Sequence, residues 1–130
     1  MTRTQLPEIH NSETRQALAE AALVVLGNWG VAPAKQVELL GLANAALLSQ
    51  GQPLPDDPRV LERASHLLGI ERALKRRYPG DPATRHGWLM LPAVRLGGQP
   101  PLRVMLDGVE GIKRVRSLLE TRASSRTRRT

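Results

Sequence analysis

The chain has 130 residues, a formal net charge of +7, 41% hydrophobic residues and no cysteine. This length fits one domain, and the lack of cysteine excludes disulfides, thiolate metal sites and a cysteine nucleophile. The longest apolar stretches reach about half of the roughly 20 residues that a membrane-spanning helix needs, and no secretory signal is visible. We therefore expect a soluble, cytoplasmic protein.

The first third of the chain is predicted to be helical. Leucine and alanine dominate the composition and phenylalanine is absent, which favours helices over strands. A first helix is predicted to begin at a cap on Asn11 or Ser12 and to be ended by Gly27 and Gly30. Pro33 suits the first turn of a second helix, and Gly41 interrupts the apolar pattern before a third.

Two Asp-Pro pairs, at positions 57–58 and 81–82, are typical helix starts, because aspartate caps the helix and proline fits its first turn. The helix after the first pair is predicted to end at Gly69 and to be followed by a separate short helix over 71–78. The helix after the second pair is predicted over 83–90.

The last quarter of the chain is predicted to contain a short helix from Pro101 to Leu106 and a longer one from Val109 to about Arg122. No segment shows the alternation of a strand. The sequence therefore predicts an all-α bundle of seven or eight short helices, in two halves that meet near residues 78–81.

Catalytic and metal-binding patterns are not apparent. The three histidines are far apart, and Glu62 and His66, four residues apart on one helix, are more typical of a surface pair than of a metal site. The sequence has neither a phosphate-binding glycine loop nor a nucleophile elbow. We predict a protein that is not an enzyme and that has no cofactor and no metal.

The segment from Pro33 to Gln50 has the spacing of a helix-turn-helix, with Gly41 at the turn. Its second helix has no arginine or lysine, although phosphate contacts dominate DNA affinity. A hairpin of two helices that only packs is therefore an open alternative. If the segment does bind DNA, the candidate residues are Lys35, Asn44, Ser49 and Gln50.

A set of residues in the second half follows one order along the chain. These are Trp88-Leu89, Gly97-Gly98, Pro101-Leu102, Gly111, Val115 and Leu118-Leu119. In this order they resemble the toxin-binding domain of the Xre/MbcA/ParS antitoxin family, and the preceding half resembles the Xre-like domain of that family. The resemblance spans about residues 15–122 and implies an Xre-like helix-turn-helix half at 12–78 and a toxin-binding half at 79–122. We predict an N-terminal arm at 1–11 before them and, from its composition, a basic disordered tail at 123–130.

The resemblance implies a type II toxin-antitoxin pair whose other member is a RES-domain toxin that consumes NAD or uses it to ADP-ribosylate a target. Such an antitoxin places its C-terminal portion at or near the NAD cleft of the toxin. Trp88 is either an interface anchor or, as we favour, a core residue. The candidate toxin-binding residues are Trp88, Arg116, Leu119, Glu120, Arg122 and Arg126.

Residues 121–130 hold four arginines and no acidic residue, whereas the rest of the chain is nearly balanced in charge. We predict that this tail becomes ordered only on the toxin or on DNA. The resemblance also implies a homodimer, a hetero-oligomer with the toxin, and binding to operator DNA. The alternative function is a stand-alone helix-turn-helix transcriptional regulator, which would bind DNA by itself with a steep salt dependence.

Overall fold

A computed structural model of the chain describes residues 11–44, 46 and 52–129, with side chains described as far as residue 120. These residues form six α-helices and one 3-10 turn, with no strand longer than an isolated bridge. The all-α prediction is confirmed, with fewer helices than expected. The helices are α1 (Ser12–Asn28), α2 (Pro33–Leu40), α3 (Pro58–Arg77), α4 (Pro82–Met90), α5 (Pro101–Met105) and α6 (Val109–Arg129), and the 3-10 turn is Val94–Leu96.

Side-chain caps start three of these helices where the sequence predicts them. The Asn11 side chain accepts a hydrogen bond from the Thr14 amide at 2.8 Å and starts α1. Asp57 starts α3 and Asp81 starts α4 in the same way, each directly before a proline in the first turn. Each capping oxygen satisfies a backbone donor that has no partner inside its helix.

The predicted end of a helix at Gly69 is wrong. Helix α3 runs without a break from Pro58 to Arg77, and Gly69 is buried inside it. A Cβ atom at Gly69 would lie 2.5 Å from Cζ of Arg116, which crosses this position from α6. The glycine therefore makes room for a side chain of another helix, and it does not terminate its own.

Helix α3 is the central element, and it packs chiefly against α6 and α1. Trp29, at the end of α1, is buried in this core. The core is continuous across the predicted division at residues 78–81. The largest fully buried side chains are Leu26, Leu39, Leu40, Leu54, Leu67, Ile70, Leu74, Leu89, Met105, Ile112, Val115 and Leu119.

The last helix is longer than predicted. Helix α6 continues to Arg129, past the expected end near Arg122 and through most of the tail predicted to be disordered. Glycine and proline are absent after Gly111, so no residue of the sequence stops the helix. None of the helices in the described part of the chain has the length and apolar content needed to cross a membrane.

The predicted third helix, which follows Gly41 and extends to Gln50, lies mostly outside the described residues. Ala43 and Asn44 form a bend after α2, and Ala46 is the only other described residue of the segment. The turn that precedes it is as predicted, because Gly41 ends α2 with a positive φ of 71°. The Leu42 amide then donates to the Val37 carbonyl at 3.0 Å, and the Leu42 side chain is buried.

Candidate functional site

Helix α4 presents two neighbouring residues to different environments. Leu89 is fully buried, whereas Trp88 is half-buried and packs against the edge of the core. The helix ends at Met90, and Leu91 then adopts an extended backbone. Trp88 contacts the core, which is the role favoured from the sequence, and it also lines the surface depression described next.

A loop that is closed by backbone hydrogen bonds follows α4. The Ala93 amide donates to the Gln99 carbonyl at 3.1 Å, and the Gly98 amide donates to the Ala93 carbonyl at 2.8 Å. Gly97 and Gly98 have φ values of 70° and 83°, which side chains other than glycine rarely adopt. The Gly97-Gly98 pair of the sequence pattern therefore closes this loop.

The loop holds one apolar side chain inward and displays another. Leu96 is buried in the core and fixes the loop to the helices beneath it. Val94, two residues earlier in the 3-10 turn, is 94% exposed. The exposure of Val94 is therefore imposed by a hydrogen-bonded turn with a buried anchor.

Trp88, the loop and α6 enclose a depression of about 460 Å³, which we call the apolar groove. Leu91 lines the groove and is 62% exposed, and the preceding residue, Met90, is 50% exposed. Arg95 is the charged residue among those lining the groove, and no acidic residue lines it. The lining residues are Trp88, Leu91, Pro92, Ala93, Val94, Arg95 and Leu118.

The close crossing of α5 and α6 depends on Gly111. A Cβ atom at this position would overlap the backbone carbonyl oxygen of Val104 on α5. Only glycine lets the two helix backbones approach this far. The crossing positions the start of α6 and thereby Leu118, which lies in the groove two turns further along.

A second group of side chains connects α6 to α3. Arg116 donates from Nε to Oε2 of Glu120 at 3.0 Å, and its Nη1 lies 3.1 Å from Nδ1 of His66. Nε2 of His66 lies 3.5 Å from Oε2 of Glu62, so the predicted pair four residues apart is formed. We call Glu62, His66, Arg116 and Glu120 the His66 cluster. It borders a shallow depression that also includes Lys113 and Arg114.

The structure separates the predicted toxin-binding residues. Arg116 and Glu120 bind each other, and Trp88 belongs to the groove. Leu119 is only 1% exposed and lies in the core, so it is not available as a contact residue. Its apolar neighbour Leu118 reaches the surface instead. Arg122 and Arg126 lie on α6, where their side chains are outside the described residues.

The predicted DNA-binding residues remain scattered. Lys35 is exposed on α2, and the Asn44 side chain accepts a hydrogen bond from the Ala46 amide at 3.0 Å. Ser49 and Gln50 lie outside the described residues. The structure adds Arg63 of α3 to this region, because its side chain covers Gly41 at the turn.

The sequence prediction missed Leu91, Val94 and Arg95. A signal was present, because residues 88–94 are apolar without interruption and the last four of them, residues 91–94, follow the end of α4. A helix of this length buries only one face, so some of these apolar side chains have to face solvent.

Part of this region is similar to a known protein family. Residues 73–124 match the family model described as the antitoxin Xre/MbcA/ParS C-terminal toxin-binding domain. The comparison with curated proteins finds no match. The matched range contains the apolar groove and most of α6, and it does not include α1 or α2. Among the described residues, no group of three or more histidine, aspartate or glutamate side chains is arranged to hold a metal ion.

Proposed function

Since residues 73–124 match the toxin-binding domain of the Xre/MbcA/ParS antitoxin family, we propose that the chain neutralises a cognate RES-domain toxin that consumes NAD or transfers ADP-ribose from it. The matched domain is toxin-binding, which indicates a toxin-binding antitoxin and suggests a regulator without catalysis of its own. This match is the observation that carries the proposal.

Helix α6 is the proposed inhibitory element. Leu119 is the last described residue in the core, and the helix continues to Arg129. An NAD cleft has to bind a pyrophosphate, so it presents cationic donors, and it also holds a catalytic acid. Glu120 offers a carboxylate to those donors, and the four arginines of residues 121–130 offer guanidinium groups to the acid. Occupation of the cleft by this helix end would exclude NAD.

Removal of the chain after Leu119 tests this element. The tagged protein is co-expressed with the neighbouring reading frame of its operon and washed at high salt, which removes contacts made only by exposed charges. We expect a RES-domain toxin to remain bound to the full chain and its NAD consumption to be inhibited. We expect the truncated chain to lose inhibition. A truncated chain that binds tightly and inhibits fully would overturn the role of α6.

The matched control keeps the helix and removes charge. Arg122→Gln with Arg126→Gln replaces two guanidinium groups by side chains of similar helix propensity. We expect this variant to inhibit less strongly than the full chain and more strongly than the truncated one.

We also propose binding to operator DNA by the toxin complex, with the N-terminal half as the DNA-binding half. The supporting observation is the turn at Gly41, where a positive φ and the buried Leu42 side chain give the sharp connection of a helix-turn-helix. A dimer of the chain would place two such units on a palindrome.

A gel-shift titration on the upstream DNA, with and without toxin and over a range of salt, tests the operator proposal. Tighter binding with toxin supports autoregulation. Steep, salt-dependent binding by the chain alone, with no toxin retained in co-purification, would favour the stand-alone regulator.

A further inference from the structure

We propose that the apolar groove is the anchoring site for the toxin and that it accepts an apolar toxin side chain next to a toxin carboxylate. This inference rests on the proposed function, because the toxin is the occupant. The inference assigns two functions to two parts of the C-terminal half. The groove binds the toxin, and the end of α6 inhibits it.

Most of the large, exposed hydrophobic residues among those described lie in the groove or next to it in the sequence. Four large hydrophobic residues among those described are at least half exposed. Three of them lie within five positions of the sequence: Met90 at 50%, Leu91 at 62% and Val94 at 94%. The fourth, Val24, lies on α1, outside the matched domain. Contiguous exposed apolar residues are typical of an interaction site, whereas single ones are ordinary.

The groove is also preorganised. The hydrogen bonds between Ala93 and Gln99 and between Gly98 and Ala93 fix the loop, and the buried Leu96 attaches it to the core. Trp88, which also lines the groove, is held by its contact with the core. Little conformational entropy remains to be lost on binding, which is the condition under which a small apolar pocket contributes most to affinity.

The lining residues define the chemistry of the occupant. A volume of about 460 Å³ admits one or two large side chains such as leucine or an aromatic residue. Arg95 lies at the rim with no acidic residue among the lining residues, so a carboxylate on the partner would meet an uncompensated guanidinium. We therefore expect an apolar toxin segment that carries an aspartate or glutamate beside its anchor residue.

The groove is continuous with the proposed inhibitory element. Leu118 lines the groove, and α6 runs on from it to Arg129, a distance of about 16 Å along the helix axis. One toxin molecule can therefore contact the groove and the helix end together. Anchoring at the groove would raise the effective concentration of the helix end at the NAD cleft.

Val94→Asp tests the anchor, with Val24→Asp as the matched control, because both valines are exposed and only one belongs to the groove. The full chain is titrated into the purified RES-domain toxin of the same operon by calorimetry. We expect Val94→Asp to weaken toxin binding by about tenfold or more, as at an interface anchor, and Val24→Asp to leave it unchanged. Equal melting temperatures of the two variants show that folding is not the cause.

Arg95→Gln tests the charge. We expect weaker binding and a smaller decrease of affinity between low and high salt than in the wild type, because one ionic contact is absent. An unchanged affinity of both Val94→Asp and Arg95→Gln, with the wild type still inhibiting the toxin, would overturn the groove proposal alone. A wild type that neither binds nor inhibits the toxin would overturn the proposed function and the groove proposal together.

A second copy of the chain is the competing occupant. Analytical ultracentrifugation of the Val94→Asp variant separates the two cases. If the substitution changes the dimerisation constant and leaves toxin affinity as it was, the groove is a self-association surface and the proposal is wrong.

Discussion

The indole Nε1 of Trp29 donates a hydrogen bond to Oε1 of Glu71 at 2.8 Å, and both residues are buried. This bond joins the end of α1 to the middle of α3. Glu71 is the one buried charged residue among those described, and Lys75 lies 3.9 Å from its other oxygen. The burial of a carboxylate is tolerated because one oxygen has a donor and the other faces a cation.

Replacement of Glu71 by alanine is expected to destabilise the protein. The indole N–H would then be buried without an acceptor, which costs about 1–3 kcal/mol. Glu71→Gln keeps an acceptor oxygen, so we expect a smaller loss. Urea unfolding followed by tryptophan fluorescence measures both. An equal loss in the two variants would mean that the ion pair with Lys75, and not the hydrogen bond, stabilises this contact.

Gly111→Ala is expected to destabilise the contact between α5 and α6. The new methyl group would overlap the Val104 carbonyl oxygen, so the two helix backbones would have to separate, at about 1–3 kcal/mol or more. The control is Gly87→Ala in α4, where an added Cβ meets nothing within 4 Å.

The Gly87→Ala control is expected to stabilise the protein by about 0.4–1 kcal/mol, because alanine restricts the unfolded chain more than glycine does. Thermal unfolding of the two variants should therefore show shifts of opposite sign. A stabilised Gly111→Ala variant would show that the helices separate without loss, and the close crossing would then have no structural role.

Local chemistry made the helix starts predictable. Asparagine or aspartate followed by proline or a polar first turn specifies a cap within a few residues, and the structure has these caps at Asn11, Asp57 and Asp81. The apolar residues of α6 also recur at helical spacing, and two of them, Ile112 and Val115, are buried. Both signals depend only on neighbours in the sequence.

The errors come from contacts between residues far apart in the sequence. Gly69 has the signature of a helix end, and only the position of Arg116, on another helix, shows why glycine is required inside α3. Leu118 and Leu119 are adjacent, and periodicity could not decide which of them faces the core. The groove depends on the arrangement of α4, a loop and α6, so no single segment encodes it.

Leu119→Ala and Leu118→Ala are expected to separate stability from toxin binding. Leu119 is buried, and its truncation should cost about 2–5 kcal/mol of folding free energy. Leu118 is half-buried at the groove, so its truncation should cost about 1 kcal/mol and should weaken toxin binding. Urea unfolding and calorimetry with the RES-domain toxin measure the two effects. A greater loss of stability at Leu118 would contradict the assignment of Leu119 to the core.

The carboxylates of two helix caps predict how the stability of the protein depends on pH. Hydrogen bonds from the side chain and the backbone amide of Thr84 lower the pKa of Asp81 from its ordinary value of 3.8. Hydrogen bonds from the backbone amide and, to a smaller extent, the side chain of Arg59 lower the pKa of Asp57 from the same value. The native state therefore binds these protons less tightly than the unfolded state. The stabilisation is present above the ordinary pKa and is lost as the pH falls through the lower native values.

The double variant Asp57→Asn, Asp81→Asn should remove that dependence while keeping both caps, because asparagine caps helices about as well as aspartate and does not titrate. We expect its urea midpoint to be near that of the wild type at neutral pH and to fall less between about pH 4 and pH 2. If acid lowers the two midpoints equally, other carboxylates govern the acid transition and these caps act only through their geometry.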